Sequence, residues 1–250
     1  MILKKWEALP DELRTDAVRF YYDILDKKRA SLFCKRVFDI VVSVVMLLVL
    51  SPIFLVLAIA IKLDSAGPVF YRQVRVTQYG KRFRIFKFRS MVSNADKLGA
   101  QVTVGNDSRI TRVGRFIRKC RLDEICQLID ILRGTMTFVG TRPEVPKYVE
   151  QYTPEMMATL LLPAGVTSQA SIFYKDESRL LNSAEDVDKT YVVSVLPGKM
   201  YYNLKAIEQF NFLSDIKVMC MTVFAVLGKE YEGDYVSPEA SVEKTEESPQ

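Results

Sequence analysis

The sequence predicts an α+β fold, mostly helical, in which a re-entrant membrane hairpin and surface amphipathic helices accompany a small cytoplasmic domain with a β-hairpin. Residues 40–61 are apolar without a charged side chain, and residues 69–88 alternate apolar and basic side chains. The first pattern is typical of a membrane element and the second of paired strands. Four units are expected: an N-terminal amphipathic helix in 1–34, the membrane hairpin in 35–64, the cytoplasmic domain in 65–230 and a disordered acidic tail in 231–250.

The apolar run is just long enough to cross a bilayer, because a straight helix needs roughly 20 apolar residues to do so. Its midpoint carries Ser51 and Pro52. A proline inside a helix costs on the order of 3 kcal/mol and bends it. Each arm spans ~15 Å, about half a membrane. A re-entrant hairpin, a single span and a buried soluble helix therefore all remain compatible with the run itself.

Lysine and arginine flank the run on both sides, and cytoplasmic flanks are the ones that carry such an excess. Neither end looks translocated, which favours the re-entrant hairpin. Bare backbone at the bend would be costly in lipid, and the Ser51 hydroxyl is a candidate to satisfy part of it. The basic flanking residues are Lys27, Lys28, Arg29, Lys35 and Arg36 before the run, and Lys62, Arg72, Arg75, Lys81, Arg82 and Arg84 after it.

Composition excludes several kinds of site. The chain has no histidine, which removes Ser-His-Asp triads, HExxH zinc sites and every imidazole acid or base. Its 4 cysteines form no CxxC pair, so a reducing compartment is expected rather than a disulfide framework or zinc site. The net charge is +5 although the C-terminal tail is acidic, so the basic body predicts an anionic partner.

The elements follow from the spacing of apolar residues. Residues 11–29 place Leu13, Phe20, Tyr21 and Leu25 on one helical face, which either lies on the membrane or packs on the domain. Residues 69–76 and 82–88 predict the two strands of the hairpin. A short helix or loop is expected at 94–98.

Further helices are expected after Gly114 and over 122–133, where Gly134 supplies a C-terminal stop. Thr137 to Pro143 predict a strand-like step into a turn. Helical patterns recur at 148–152, 155–162 and 215–227.

The adjacent carboxylates Asp123 and Glu124 are the first candidate site. Both are expected in the first turn of a helix, where stabilisation of the helix dipole is a sufficient role for them. The dense arginine run before Asp123 is expected to lower the pKa of this carboxyl group and hold it ionised. Without histidine, an ionised aspartate is also a plausible nucleophile toward phosphorus.

Isolated cations form the second candidate set. The series of Arg109, Arg112, Arg115, Arg118, Lys119 and Arg121 is compatible with a solvated face, a lipid-headgroup contact or a phosphate clamp. Arginine forks match phosphate geometry. Lys87 and Arg89, at a strand end, and Arg142, in a turn, are further candidates to bind phosphate.

Six motifs, in order, carry a resemblance. They lie in KRVFDIVVSVVMLLVLSPIFLVLAIAIKL, GPVFYRQVRV, FRIFKFRSM and DSRITRVGRFIRKCRLDEICQLIDILRGTMTFVGTRPEVP. Together they resemble the bacterial sugar transferase family, the monotopic phosphoglycosyl transferases, from about Lys35 to Leu227. The resemblance implies an enzyme of the bacterial inner membrane, facing the cytoplasm, that moves a phosphosugar from a UDP-sugar to undecaprenyl phosphate, releases UMP and begins assembly of a surface glycan.

The resemblance also implies roles for residues. Asp123 would attack the β-phosphate and form a covalent phosphosugar intermediate, and Glu124 would assist by acid–base chemistry or by binding Mg²⁺ together with Asp123. Mg²⁺ is the implied cofactor. Ser51 and Pro52 match the bend of the family's re-entrant helix, and a homodimer is possible. Phosphate contacts are expected from Lys87, Arg89, Arg112 and Arg142.

Two departures from the family pattern stand out. GTRP replaces the usual GPRP, which keeps Arg142 but loses a proline, and residues 163–172 differ from the usual PGITG stretch. The alternative function is that of a membrane-anchored binding or regulatory protein that uses its arginine-rich face. Nucleic acid is not expected as a partner, since neither base-stacking aromatics nor a reading helix is evident.

Overall fold

The computed structural model describes residues 3–93, 95, 107–175 and 186–234, and helices predominate in them. The short helix or loop predicted at 94–98 lies, apart from residue 95, outside the described residues. So does the predicted acidic tail beyond residue 234. Helices α1 to α9 and strands β1 to β4 are numbered below in chain order.

Helix α1 (Asp16–Asp26) begins at Thr15, whose side chain caps it by accepting a hydrogen bond from the Val18 amide. Val18, Tyr21 and Leu25 are buried against residues of the domain, so packing on the domain is the arrangement observed for this helix. Phe20, predicted on the apolar face, is 58% exposed. Single turns of 3-10 helix precede α1 at Trp6–Ala8 and Asp11–Leu13.

Helix α2 (Arg29–Asp64) contains the apolar run, and it continues through Pro52 as one helix. The predicted helix–break–helix is therefore a single helix without a break. Within the described residues it is the one helix that is long and apolar enough to cross a membrane, and only 11% of its most apolar window is buried. It starts at Arg29, earlier than the predicted boundary at 35.

The predicted β-hairpin is confirmed. Strands β1 (Phe70–Val76) and β2 (Arg82–Phe88) pair antiparallel, from Phe70 opposite Phe88 to Val76 opposite Arg82. Their connecting turn contains the 3-10 segment Gln78–Gly80. The hairpin packs against α2 through the aromatic side chains of its outer end, where Phe54 and Phe88 rings lie 5.2 Å apart.

Helix α3 (Arg112–Lys119) begins before Gly114, where the sequence predicted a weakened helix. A Cβ on Gly114 would lie 2.0 Å from the Ser90 carbonyl oxygen, so glycine allows α3 to approach the end of the hairpin. The predicted helix over 122–133 is a 3-10 segment (Leu122–Gln127) followed by α4 (Leu128–Arg133). It ends, as predicted, at Gly134.

Strand β3 (Met136–Val139) confirms the predicted strand-like step, and it pairs in parallel with β4 (Ala164–Thr167), which the sequence analysis did not predict. A Cβ on Gly165 would lie 2.2 Å from the Gly140 backbone, so the two chains touch where β3 leads into the next turn. The remaining elements are α5 (Pro146–Val149), 3-10 helix Met156–Leu161, α6 (Gln169–Phe173), α7 (Val187–Thr190), π-helix Tyr191–Val195, α8 (Leu196–Glu208) and α9 (Phe212–Val226).

Helix α2 packs on the domain along both of its arms. Before Pro52, Phe38 and Val42 join a core formed by α4, β3 and β4. After Pro52, Leu57 and Ile61 join a second core with β2 and α3. The catalytic candidates described next lie on segments between these two cores.

Candidate active site

Glu124 is the centre of a charged cluster. Lys87 Nζ, from β2, lies 2.9 Å from Glu124 Oε1. Arg142, from the turn after β3, donates from Nη1 to Oε2 at 3.2 Å and from Nη2 to Oε1. Burial opposes ionisation, but the positive charges of Arg142 and Lys87 hold the pKa of Glu124 well below its usual range. Two cations from distant parts of the chain therefore meet one ionised carboxylate.

Asp123 lies beside this cluster with a different environment. Burial and the negative charge of Glu124 raise the pKa of Asp123, although Lys87 and Arg118 oppose the shift. The prediction that the arginine run lowers this pKa is therefore wrong, because desolvation outweighs the nearby cations. The Asp123 side chain makes no ion pair among the described residues, whereas Glu124 pairs with both Lys87 and Arg142.

Members of the arginine series have different acidic neighbours. Arg109 pairs with Asp107, and Arg118 interacts with both Asp107 and Asp123. Arg112 interacts with Asp64 at the end of α2. Arg112, Arg115, Lys119 and Arg121 are exposed at the surface, whereas Arg109 and Arg118 are partly buried. Sequence reasoning named Arg118 only as one of the series, whereas in the structure its charge opposes the rise in the pKa of Asp123.

Arg89 and Arg112 are not brought to Glu124. The buried Arg89 guanidinium donates to carbonyl oxygens at the C-terminus of α2, at 2.7 Å for Ser65 and 3.1 Å for Ala66. A cation at that end of a helix is favourable because unpaired carbonyls give it partial negative charge. The phosphate contacts predicted for Arg89 and Arg112 stay predictions. Of the four predicted phosphate-binding cations, Lys87 and Arg142 are the two that lie at the carboxylate pair.

Asp130 holds the strand that carries Lys87. This buried carboxylate accepts a hydrogen bond of 2.8 Å from the Phe86 amide, one residue before Lys87. It therefore ties α4 to β2 beside the charged cluster. The sequence analysis missed Asp130, because a buried aspartate in an apolar helix gives no periodic signal of its own.

Side chains behind Arg142 fix its turn. Arg75 Nη1 donates to the Pro143 carbonyl at 3.0 Å. Glu144 is buried and accepts from the Tyr191 hydroxyl at 2.5 Å, while Lys199 Nζ lies 2.9 Å from that hydroxyl. Sequence reasoning missed these groups too, since Tyr191 and Lys199 follow Glu144 at long range and share no motif with it.

The described residues contain no group of three or more Cys, Asp or Glu that could hold a metal ion by itself. Both oxygens of Glu124 are engaged by cations, which disfavours its predicted use as a metal ligand. Asp123 offers one available carboxylate. Such a donor suits Mg²⁺, which uses one or two carboxylates, retains waters and binds substrate phosphates.

A carboxylate beside fixed cations is an arrangement suited to phosphoryl transfer, in which positive charge stabilises developing negative charge. Stabilisation of the helix dipole alone does not account for it, since Lys87 and Arg142 come from other elements to reach Glu124. The comparison with known proteins agrees. A family model described as bacterial sugar transferase matches residues 30–229.

The chain belongs to the bacterial sugar transferase family. It is 34% identical over 198 residues to a UDP-N-acetylgalactosamine-undecaprenyl-phosphate N-acetylgalactosaminephosphotransferase of Aeromonas hydrophila, covering 78% of this chain and 44% of the relative. It is 36% identical over 195 residues to a UDP-glucose:undecaprenyl-phosphate glucose-1-phosphate transferase of Escherichia coli, covering 76% and 39%. The chain thus spans less than half the length of these two relatives.

A shorter relative is matched over more of its own length. A putative undecaprenyl-phosphate N-acetylgalactosaminyl 1-phosphate transferase of Bacillus subtilis is 39% identical over 135 residues, which cover 54% of this chain and 75% of the relative. The bacterial sugar transferase segment contains every predicted site residue from Ser51 to Arg142. Membership therefore confirms the resemblance carried by the six sequence motifs.

Proposed function

We propose that this bacterial sugar transferase moves a phosphosugar from a UDP-sugar to undecaprenyl phosphate, giving undecaprenyl-diphosphate-sugar and UMP. The single observation that supports it is the available Asp123 carboxylate beside the Lys87–Glu124–Arg142 cluster. The relatives' names supply the substrate class. This reaction would open the assembly of a surface glycan.

The proposed reaction has two phosphoryl transfers. In the first, an oxygen of Asp123 forms a bond to the β-phosphorus of the UDP-sugar. The bond from that phosphorus to the bridging oxygen breaks, and UMP leaves with the oxygen and its electron pair. In the second, an oxygen of undecaprenyl phosphate bonds to the same phosphorus, and the Asp123–phosphorus bond breaks to regenerate the carboxylate. The covalent intermediate splits one transfer between two large substrates into two steps, with Asp123 as the nucleophile of the first and undecaprenyl phosphate as the nucleophile of the second.

Lys87 and Arg142 have a clear physical task in this scheme. They neutralise Glu124 in the resting site, and ammonium and guanidinium groups stabilise phosphate oxygens as negative charge accumulates on them. Arg118, which interacts with Asp123, adds a third cation near the nucleophile. The ionised Glu124 holds Lys87 and Arg142 in place and raises the pKa of Asp123 by its negative charge.

Mg²⁺ is the proposed cofactor, with Asp123 as its protein ligand. When bound, it would supply charge neutralisation for the diphosphate oxygens. The engaged oxygens of Glu124 argue for a role in orienting cations rather than in binding the ion. The proposed role of Glu124 is therefore electrostatic positioning, in place of the acid–base work or metal binding expected from the family resemblance.

The proposed topology is re-entrant, with both ends of α2 on the cytoplasmic face of the inner membrane. Contacts at the two ends support it. Near the start of α2, Lys35 Nζ donates to the Val139 carbonyl at 2.8 Å. At its end, Asp64 Oδ2 accepts from the Val113 amide at 3.0 Å. A helix crossing a bilayer would place its ends about 30 Å apart on opposite sides, where a single polar domain does not bind both.

Apolar side chains that face away from the domain mark the surface that would enter lipid. They occur on both arms of α2, as at Val49, 69% exposed, and Val56, 64% exposed. Helix α9 adds Val223 and Phe224, 59% and 53% exposed. A continuous helix bent at Pro52 would bury both arms in one leaflet. A homodimer stays a prediction that sedimentation in detergent would test.

The defining experiment incubates purified protein with undecaprenyl phosphate, Mg²⁺ and a panel of UDP-sugars that includes UDP-glucose and UDP-N-acetylgalactosamine, and measures UMP. We expect release with at least one donor. Asp123→Asn should abolish turnover and any phosphosugar adduct on the protein, whereas the control Asp16→Asn, at an exposed helix start, should retain both. Absence of UMP with every donor would refute the proposed activity, and an active Asp123→Asn enzyme would refute the nucleophile.

A further inference from the structure

Two side chains on one face of α2 hold strand β3. Asp39 Oδ2 accepts from the Thr137 hydroxyl at 2.7 Å, and Asp39 Oδ1 accepts from the Phe138 amide at 3.3 Å. One turn earlier, Lys35 donates to the next residue of the strand, Val139. Lys35 and Asp39 are 2% and 1% exposed, so water does not compete for these bonds. Three consecutive residues of β3 are thus bound by two residues of the apolar helix.

Strand β3 leads directly into the turn that carries Arg142. Only two residues, Gly140 and Thr141, separate Val139 from Arg142, and the first of them touches Gly165 of the neighbouring strand. The Gly140 amide donates to the Thr167 carbonyl at 3.0 Å, and the Gly165 amide donates to the Thr141 carbonyl at 2.8 Å. A shift of β3 along α2 would therefore move the Arg142 guanidinium relative to Glu124.

We propose that Asp39 is a positioning residue: its hydrogen bonds to β3 transmit the placement of the membrane helix to Arg142 and so set the phosphate-binding geometry. The kinetic test of this inference depends on the proposed transferase activity. Burying a carboxylate costs free energy, and an apolar side chain would pack helix on strand as well or better. Only directional hydrogen bonds fix the position of the strand along the helix, and Asp39 supplies two of them.

The hydroxyl of Thr137 both donates and accepts hydrogen bonds, which gives the test its conservative variant. Asp39→Asn can still accept from the Phe138 amide while its NH₂ donates to Thr137, so both links survive without the charge. Asp39→Ala removes both links, and Thr137→Val removes one. The matched control is Ser43→Ala, one turn later on the same buried face, where the hydroxyl has no hydrogen-bond partner among the residues that the structure describes.

We expect Asp39→Ala to lower kcat/KM for the UDP-sugar about 10- to 100-fold, because small misplacements of a positioning group have effects of this size. Thr137→Val should show a smaller loss, while Asp39→Asn and Ser43→Ala stay near the parent enzyme. In an Arg142→Ala background the effect of Asp39→Ala should largely vanish, since the coupling partner is gone. Full additivity with Arg142→Ala, or an Asp39→Asn enzyme as impaired as Asp39→Ala, would overturn the proposal.

A measurement without substrate separates this proposal from the proposed function. Hydrogen exchange of the amides in 137–143 should accelerate in Asp39→Ala and in Thr137→Val relative to Ser43→Ala. If the parent enzyme releases no UMP but this exchange pattern holds, the transferase assignment fails while the positioning contact stands. If UMP is released normally and exchange is unchanged in both variants, the positioning proposal fails by itself. Thr137→Val keeps the test decisive if Asp39→Ala does not fold.

Discussion

Ser51 donates a hydrogen bond from its hydroxyl to the carbonyl oxygen of Leu48, 2.8 Å away. That carbonyl is the one that the residue at position 52 would bind in a regular helix, and Pro52 has no N–H to offer. The Ser51 hydroxyl therefore replaces the backbone hydrogen bond to Leu48 that Pro52 cannot donate. This relationship keeps α2 helical at the point where the proposed bend lies.

In the lipid environment of the proposed topology, Ser51→Ala should leave the Leu48 carbonyl unsatisfied. We expect a loss of about 1–3 kcal/mol in the free energy of unfolding, the usual cost of a buried acceptor without a partner. Thermal unfolding in detergent micelles would measure it, with Ser43→Ala as the control in which no hydrogen bond is lost. Equal stability of the two variants would contradict a structural role for the Ser51 hydroxyl.

Thiol labelling should place both flanks of α2 on the cytoplasmic face. Cys34 is exposed at one end, and Leu63, 83% exposed at the other, can be replaced by cysteine. In a background lacking the exposed Cys120 and Cys220, a membrane-impermeant maleimide should label neither flank in intact spheroplasts and both in inverted vesicles. Labelling of the two flanks from opposite sides would establish a single span instead.

Replacing the cations that bind Glu124 should impair catalysis. We expect Lys87→Ala and Arg142→Ala each to lower kcat about 10²- to 10³-fold, as removal of one preorganised charge-stabilising group does. Initial rates of UMP release would measure the loss. Arg84→Ala is the matched control, because Arg84 lies on the same strand as Lys87 but is exposed to solvent. A parent-like rate in either cluster variant would remove that cation from the phosphate site.

The pH dependence of the rate should report Asp123. Since its folded-state pKa is raised above the ordinary value of 3.8, activity that needs the ionised carboxylate should fall with decreasing pH earlier than for an exposed aspartate. Glu124→Gln removes a negative neighbour and frees two cations, so it should move this acidic limb to lower pH. Rate profiles of the two proteins would show the shift, and an upward or absent shift would contradict the electrostatic coupling.

Glu124 should stabilise the folded protein when it is ionised, because its pKa shifts in the opposite direction to that of Asp123. Because its pKa is lowered on folding, the stabilisation is present above the ordinary glutamate value of 4.5 and is lost as pH falls below it. Unfolding midpoints from neutral to acidic pH should therefore decline less in Glu124→Gln than in the parent protein. Parallel declines would show that its ion pairs do not stabilise the fold.

The buried side-chain amide of Gln127 should destabilise the fold. It is 1% exposed, and neither side-chain atom has a hydrogen-bond partner within the described part of the chain. Gln127→Met, which keeps the shape and removes the polar atoms, should raise the free energy of unfolding by about 1–3 kcal/mol. Thermal unfolding would test this, and a destabilised variant would show that the amide has a partner in the working protein.

The sequence by itself determined the local elements with strong periodic or turn signals. The apolar run, the alternating hairpin strands and the stop at Gly134 follow from side-chain spacing and backbone chemistry that neighbours in sequence settle. The adjacency of Asp123 and Glu124 is likewise a fact of sequence. The motifs around them were sufficient to indicate the bacterial sugar transferase family.

Only the tertiary structure decided which cations meet which carboxylate. Lys87 and Arg142 reach Glu124, whereas Arg89 binds the end of α2 and Arg112 faces Asp64, because strand pairing and helix packing fix directions that sequence spacing does not encode. The sign of the Asp123 pKa shift has the same origin. Counting nearby arginines predicts a lowered pKa, but desolvation depends on what the folded chain packs over the carboxylate, and here it prevails.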